Sequence, residues 1–158
     1  MITEDTIIRA GKQFAGSAVS ELVTRFEGFL NTDSVEVDLK RTALDVVDRL
    51  GELILLRQAL QRHADSWEAK HAASRILGVL GSVDDAWYRT PLGRLVGTVI
   101  PPHGGVLSPT QASRILGVSR QRVWQMLQEG KLRSSGDRKI TAASVMGEVE
   151  RRLEGEEE

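Results

Sequence analysis

The sequence predicts a mainly α-helical protein in two parts: an N-terminal helical bundle over residues 1–100, and a smaller C-terminal unit over residues 106–153. Three observations carry this. Apolar residues recur at helical spacing through most of the first hundred positions, the period of helices with one buried face. Pro101-Pro102-His103-Gly104-Gly105 then gathers two helix breakers and two flexible residues, which reads as a linker over residues 101–105. The charge also changes there. Residues 1–104 hold 12 basic and 14 acidic side chains, residues 105–140 seven and two, and residues 141–158 two and six. A block of net +5 therefore lies between blocks of −2 and −4, hidden within a whole-chain charge of −1.

Length and composition set the outer bounds. At 158 residues the chain is long enough for one ordinary domain or two small ones. Hydrophobic residues at 41% and charged residues at 27% are globular proportions, and aromatics at 4% leave the core to aliphatic side chains. Without cysteine there is no disulfide, thiol nucleophile or cysteine-based metal centre. No apolar run reaches the roughly 18 residues that span a bilayer. Glu4, Asp5 and Arg9 interrupt the first ten residues, unlike a secretory leader. The expected compartment is the cytoplasm, with no membrane contact.

The elements are taken in chain order. From Thr3 to Leu30 the helical period runs through Ile7, Phe14, Ala18, Leu22 and Phe29, with Gly11 and Gly16 allowing a close neighbour. Asn31-Thr32-Asp33-Ser34 is a polar turn. A second long helix starts between Val35 and Asp38 and ends near His63 or Ala64. Two helices of about 25 residues, each about 38 Å long, suit a hairpin or a dimer bundle, so residues 3–64 are the expected homodimer element. Ser66 caps a third helix that stops at Gly78. Ser82 caps a fourth, with Asp84 and Asp85 at its positive end and Trp87 and Tyr88 as core anchors, as is Trp67. Thr90 and Pro91 start a short apolar helix ending near Ile100. The seven letters ASRILGV occur twice, at 73–79 and at 112–118, which raises residues 72–97 as a degenerate duplicate of the segment around 112–118.

Residues 108–127 carry the most specific pattern. Ser108, Pro109 and Gln111 form a capping box with proline in the first turn. Ala112 and Ser113 are small where a second helix crosses. Ile115 and Leu116 face the core, Gly117 supplies a turn with positive φ, and Val118 enters the helix–helix angle. Ser119 caps the next helix, whose apolar side is Val123, Met126 and Leu127. This is a helix-turn-helix, whose second helix lies in the DNA major groove. The exposed side of that helix carries Arg120, Gln121, Arg122 and Gln125. Arginine bonds bidentately to guanine and glutamine to adenine, and a helix N-terminus capped by Ser119 favours a phosphate oxygen. Trp124 is expected to pack on the following segment, with contact to the sugar–phosphate backbone as the alternative. Glu129-Gly130 ends the helix. Lys131 and Arg133 come next, and Ser134–Asp137 turns the chain back through Arg138-Lys139-Ile140 as a hairpin wing. Thr141 caps a last helix, buried through Val145, Met146, Val149 and Leu153. Residues 154–158 read as an acidic tail.

Residues Val106 to about Leu153 resemble the winged helix-turn-helix domains of the MerR/excisionase-like superfamily. The resemblance rests on LSPTQASRILGVSRQRVWQMLQEGKL, then GDRKIT and the closing helix, and covers about 48 of 158 residues. It is nearer the excisionase branch, because MerR proteins carry arginine and tyrosines where this chain has Trp124, Gln125 and Met126. It implies double-stranded DNA as partner. The site residues would be Ser119, Arg120, Gln121, Arg122 and Gln125 at the bases, with Lys131, Arg133, Arg138 and Lys139 on the backbone.

Other chemistry is poorly represented. His63, His71 and His103 form no His-x-x-x-His pair, so no metal or other cofactor is expected. No phosphate loop and no Gly-x-Ser-x-Gly is present, and Asp84 with Asp85 suits a helix end better than a catalytic pair. The chain therefore reads as a non-enzyme: a dimeric, nucleoid-associated transcriptional repressor or regulator of the autoregulatory, antitoxin or partition type, with a protein partner on its N-terminal part as a further expectation. The alternatives are an architectural recombination or segregation factor, and a helical adaptor whose winged part binds protein.

Overall fold

Helices make up most of the computed structural model, which describes residues 5–16, 35–62 and 66–155. In chain order these are α1 (residues 5–16), α2 (Val35–Arg62), α3 (Trp67–Leu80), a 3-10 turn (Asp85–Arg89), α4 (Pro91–Val99), β1 (Val106–Leu107), α5 (Pro109–Leu116), α6 (Arg120–Gln128), β2 (Ile140–Thr141) and α7 (Ala142–Gly155). Residues 3–4 and 17–30 of the first expected helix, the turn at 31–34, the end of the second helix at 63–64 and the last three acidic residues lie outside the described residues. Glu154 and Gly155, expected in the acidic tail, belong to α7. No helix among the described residues is long and apolar enough to cross a membrane.

A first core is built almost entirely of small and aliphatic residues: Ala10 and Phe14 of α1, Leu53, Leu56 and Ala59 of α2, Ala69, Ala72, Ala73 and Ile76 of α3, and Leu92, Leu95, Val96 and Val99 of α4. The alanines let the helix axes approach. A Cβ on Gly11 would meet Leu53 at 3.3 Å, so α1 sits tightly on α2, whereas Gly16 has nothing within 4 Å. Gln13 joins α1 to the start of α4: its amide nitrogen donates to Thr90 Oγ1 at 3.0 Å, and Leu92 N donates to its oxygen at 2.9 Å. That satisfies one of the N–H groups left open at a helix start. Arg49, nearly buried, lies with its guanidinium 5.5 Å from the Phe14 ring centroid and pairs with Asp45 at 3.1 Å.

The structure corrects three local expectations. Helix α3 does not stop at Gly78 but continues to Leu80, and the left-handed residue that ends it is Gly81, φ 74°. Leu80 is packed against the first core, which favours the extra turn. The cap of the next element is Asp84, not Ser82: its carboxylate accepts from Trp87 N at 2.8 Å, and the element is a five-residue 3-10 turn. Trp67 is not a core anchor. It is 71% exposed and stacked on His71, 4.9 Å between centroids, because it sits about 200° around the helix from Ala69. The Thr90 cap and Pro91 start are as expected.

A second core combines Tyr88 with Leu107, Ala112, Ile115, Leu116, Val123, Met126, Leu132, Ile140, Ala142, Val145, Met146 and Val149. Trp87 packs against both cores and meets Tyr88 edge-on, 5.3 Å between centroids. At the other contact, a Cβ on Gly97 of α4 would fall 2.8 Å from Met146 Cε of α7 and 3.0 Å from the Tyr88 ring, so the glycine lets both side chains lie close against α4. Residues 101–105 form a tight turn in which Pro102 is buried and His103, Gly104 and Gly105 all have positive φ. His103 is fastened on both sides, Nε2 to Asp85 Oδ1 at 2.6 Å and Nδ1 to the Gln111 amide nitrogen at 3.2 Å.

Candidate nucleic-acid interface

The C-terminal unit is assembled by local caps. Ser108 Oγ accepts from Gln111 N at 3.2 Å, and Gln111 Oε1 accepts from Ser108 N at 2.8 Å, closing the capping box on both sides. Helix α5 ends at Gly117, φ 66°, and Val118 N returns to Ser113 O at 3.0 Å. Ser119 Oγ then accepts from Arg122 N at 3.1 Å and opens α6. That helix ends with Lys131 N donating to Met126 O and Gly130 N to Leu127 O, the paired bonds of a glycine-ended helix. Two short helices are thus joined by a three-residue turn, Gly117-Val118-Ser119, with Val123 and Met126 buried between them and α7.

The strand pairing was not read from the sequence. Val106 and Leu107 pair antiparallel with Thr141 and Ile140, so the chain entering α5 lies beside the chain entering α7. The outgoing arm of the hairpin is a single bridge, Ser134 to Ile140. Its turn is held by Ser135 N to Lys139 O at 2.8 Å and Lys139 N to Gly136 O at 3.1 Å. Gly136 has φ 89° and Arg138 has φ 53°. Thr141 acts differently from a simple cap. Its hydroxyl donates to Ser144 Oγ, and Ser144 Oγ also accepts from Arg133 N at 3.1 Å.

The site residues named from the sequence fall into three sets. Ser119, Arg120, Gln121 and Gln125 are exposed on the first turns of α6. Arg138 and Lys139 are exposed on the hairpin turn, and Arg133 on its base. Arg122 is half-buried and joined to Lys131 through Glu129: Arg122 Nη1 lies 3.0 Å from Glu129 Oε1, and Lys131 Nζ lies 2.8 Å from Glu129 Oε2. Arg122 Nη1 also donates to Gln125 Oε1 at 3.2 Å. The Lys131 ammonium, and after it the Arg122 guanidinium, holds the Glu129 carboxyl below the usual carboxylate range. A groove lined by Lys131, Arg133, Thr141, Ser144, Glu148 and Arg151 holds three cations, of which Arg151 is paired with Glu148 and Lys131 with Glu129.

Trp124 corrects the sequence reading. It is 42% exposed rather than packed on the following segment. It stands on the outer side of α6 with Gln121, Gln125 and Gln128, all exposed. Position 124 lies about 100° from the mean direction of Val123, Met126 and Leu127, so wheel geometry alone could have placed it there. Arg151 and Glu148 were also missed. Glu148 is only 5% exposed and accepts from Arg151 at 2.7 and 2.9 Å and from Arg152 at 2.9 Å. Burial pushes its carboxyl up, but the two arginines outweigh this and hold it below the ordinary value. Arg152 reaches on to Met126 Sδ at 3.4 Å, tying α7 to the back of α6.

The arrangement can present hydrogen-bond donors and acceptors of α6 on one surface, with cations to either side of it. Among the described residues no group of three potential metal ligands occurs. No protein-family model, no curated protein and no solved structure matches this chain.

Proposed function

We propose that this protein binds double-stranded DNA in a sequence-selective manner through a winged helix-turn-helix formed by residues 106–153, with α6 as recognition helix and residues 133–140 as wing. The observation that carries this is the outer face of α6. Arg120, Gln121, Trp124, Gln125 and Gln128 are exposed together directly after a capped helix start, in the one segment of the chain with strong positive charge. Arginine and glutamine are the side chains that read base edges bidentately. Arg133, Arg138 and Lys139 then serve the phosphates, which position the protein without reading sequence. The resemblance to MerR/excisionase-like domains supports the same assignment.

A single head of this size covers few base pairs, so adequate affinity calls for two. The second copy packs on α2 in this reading. Leu44, Val47, Ile54 and Leu55 are each more than half exposed there, on the side of α2 away from Leu53 and Leu56. The C-terminal half of this helix, residues 49–62, carries three arginines and one glutamate. The N-terminal half, residues 35–48, holds four acidic and two basic side chains, so an antiparallel pair brings halves of unlike net charge together. The biological reading is a dimeric transcriptional regulator or repressor, acting at the nucleoid.

Selection of bound sequences from a random duplex pool tests this directly, since it reports binding, half-site number and spacing at once. On the selected site, Arg120→Ala and Gln121→Ala change base preference at a cost of about 1–3 kcal/mol. Arg138→Ala and Lys139→Ala weaken all sequences alike and lower the logarithmic salt slope by about one. If all four variants bind like the wild type, the placement of the recognition helix and wing is wrong.

A further inference from the structure

We propose that Glu129 is the specificity-determining residue of the interface, clamping Arg122 for base reading and withholding Arg122 and Lys131 from indiscriminate phosphate contact. This rests on the DNA-binding reading above, and its test separates the two. A guanidinium has five N–H donors in a fixed plane. Both hydrogens of Arg122 Nη1 are used within the protein, one on Gln125 Oε1 at 3.2 Å and one on Glu129 Oε1 at 3.0 Å. The Nε–Nη2 edge remains, with the parallel donors that match guanine or a phosphate. Residues 122, 125 and 129 are spaced three and four apart, so they share one flank of α6. The clamp therefore lies within the recognition surface itself.

The second oxygen of the same carboxylate holds Lys131 at 2.8 Å, just beyond the end of the helix. One negative charge thus attends two of the cations that a DNA backbone would otherwise attract. Among the described residues, Arg120, Arg133, Arg138 and Lys139 carry no such carboxylate partner. The distribution is selective. The cations flanking the reading face stay open for encounter, while the one on the reading flank is oriented and neutralised. On random sequence, a phosphate must compete with Glu129 for Arg122 and Lys131. On the correct sequence, Arg122 uses its free edge without leaving Glu129. Exposed ion pairs are individually weak, so the effect is graded: a several-fold penalty on non-specific binding.

The experiment measures the full-length chain by fluorescence anisotropy on a selected duplex and on a scrambled duplex of equal length, over a potassium chloride series. Wild type, Glu129→Gln and Arg122→Ala/Glu129→Gln are compared. The expected result is that Glu129→Gln tightens binding to the scrambled duplex about three- to tenfold and steepens its salt slope by one to two. Affinity for the selected duplex changes less, so the specificity ratio falls. In the Arg122→Ala background the ratio no longer responds to residue 129. Equal tightening on both duplexes overturns the proposal, since Glu129 would then be a plain repulsive charge. An unchanged pair of affinities with an unchanged melting temperature overturns it as well. Absence of wild-type binding to either duplex at low salt removes the DNA-binding reading itself.

Discussion

The repeated heptapeptide makes one substitution informative twice. In the first copy Gly78 lies inside α3, exposed, and a Cβ built there meets nothing within 4 Å. Alanine at that position gains helix propensity and loses nothing, which stabilises by about 0.5–1 kcal/mol. In the second copy Gly117 has φ 66° and closes α5. A residue with a Cβ in that conformation costs about 1–2 kcal/mol. The new methyl would also fall 2.4 Å from Arg89 Nη1, the far end of a flexible side chain that can swing away. Gly78→Ala and Gly117→Ala should therefore differ by about 1.5–3 kcal/mol with opposite signs, or roughly 3–12 °C in melting temperature for a chain of this size. Urea denaturation followed by circular dichroism measures both. Arg89→Ala/Gly117→Ala isolates the backbone part, and most of the loss should remain in it. If both single variants shift stability in the same direction, the two conformations assigned to one sequence are incorrect.

Other perturbations probe individual contacts. A Cβ on Gly93 would lie 2.0 Å from the Trp87 carbonyl oxygen, which is backbone and cannot yield. Gly93→Ala should destabilise by about 3 kcal/mol, and a wild-type melting curve would refute the close approach of α4 to residues 87–88. Glu148→Gln leaves Arg151 and Arg152 without their buried carboxylate. With both arginines part-exposed, the cost at neutral pH is about 1–2 kcal/mol. Because the folded carboxyl lies below the ordinary value of 4.5, this stability is fully present above that pH and is lost as pH falls through the folded value. Denaturation from pH 7 to pH 3 should show the gap between wild type and variant closing at the acid end, and a constant gap would exclude the ion pair as its source. Gln13→Ala removes the acceptor for Leu92 N, costing about 1–2 kcal/mol, and hydrogen exchange at the Leu92 amide should quicken.

What could be read in advance was what the chain decides locally. The Ser108–Gln111 box, the positive φ at Gly117, the Ser119 cap and the glycine after Glu129 each depend on residues within five positions of one another. Features set by distant partners were hidden. Seven identical letters end a helix at 116 and continue one through 79, because Leu80 finds a place on the first core while Val118 turns toward the second. Asp84 displaces Ser82 as cap because the residues after it adopt 3-10 geometry against α5. The pairing of Val106 with Thr141 spans 35 positions, and two-residue strands leave no alternation to detect. Of the candidate interface residues, the exposed positions Arg120, Gln121 and Gln125 of α6 were legible from helical phase, while Trp124 was read as packed and stands exposed. Glu129 was visible only as a helix-ending charge until its two partners were located.

The place of Tyr88 in the second core bears on how portable the C-terminal unit is. Residues 85–89 precede the turn at 101–105, yet they pack on α5 and supply the aromatic rings of the second core, since the later segment's own aromatic, Trp124, is exposed. A fragment begun at the apparent boundary would leave Ile115, Leu116 and Met146 short of that cover. Grafting the unit onto another protein therefore requires starting near Asp84. Arg89 and Thr90 stand between α5 on one side and the start of α4 on the other. Through Gln13, which bonds to Thr90 Oγ1 and to Leu92 N, the same short segment is also fastened to α1, so a fragment begun at Asp84 gives up those contacts as well.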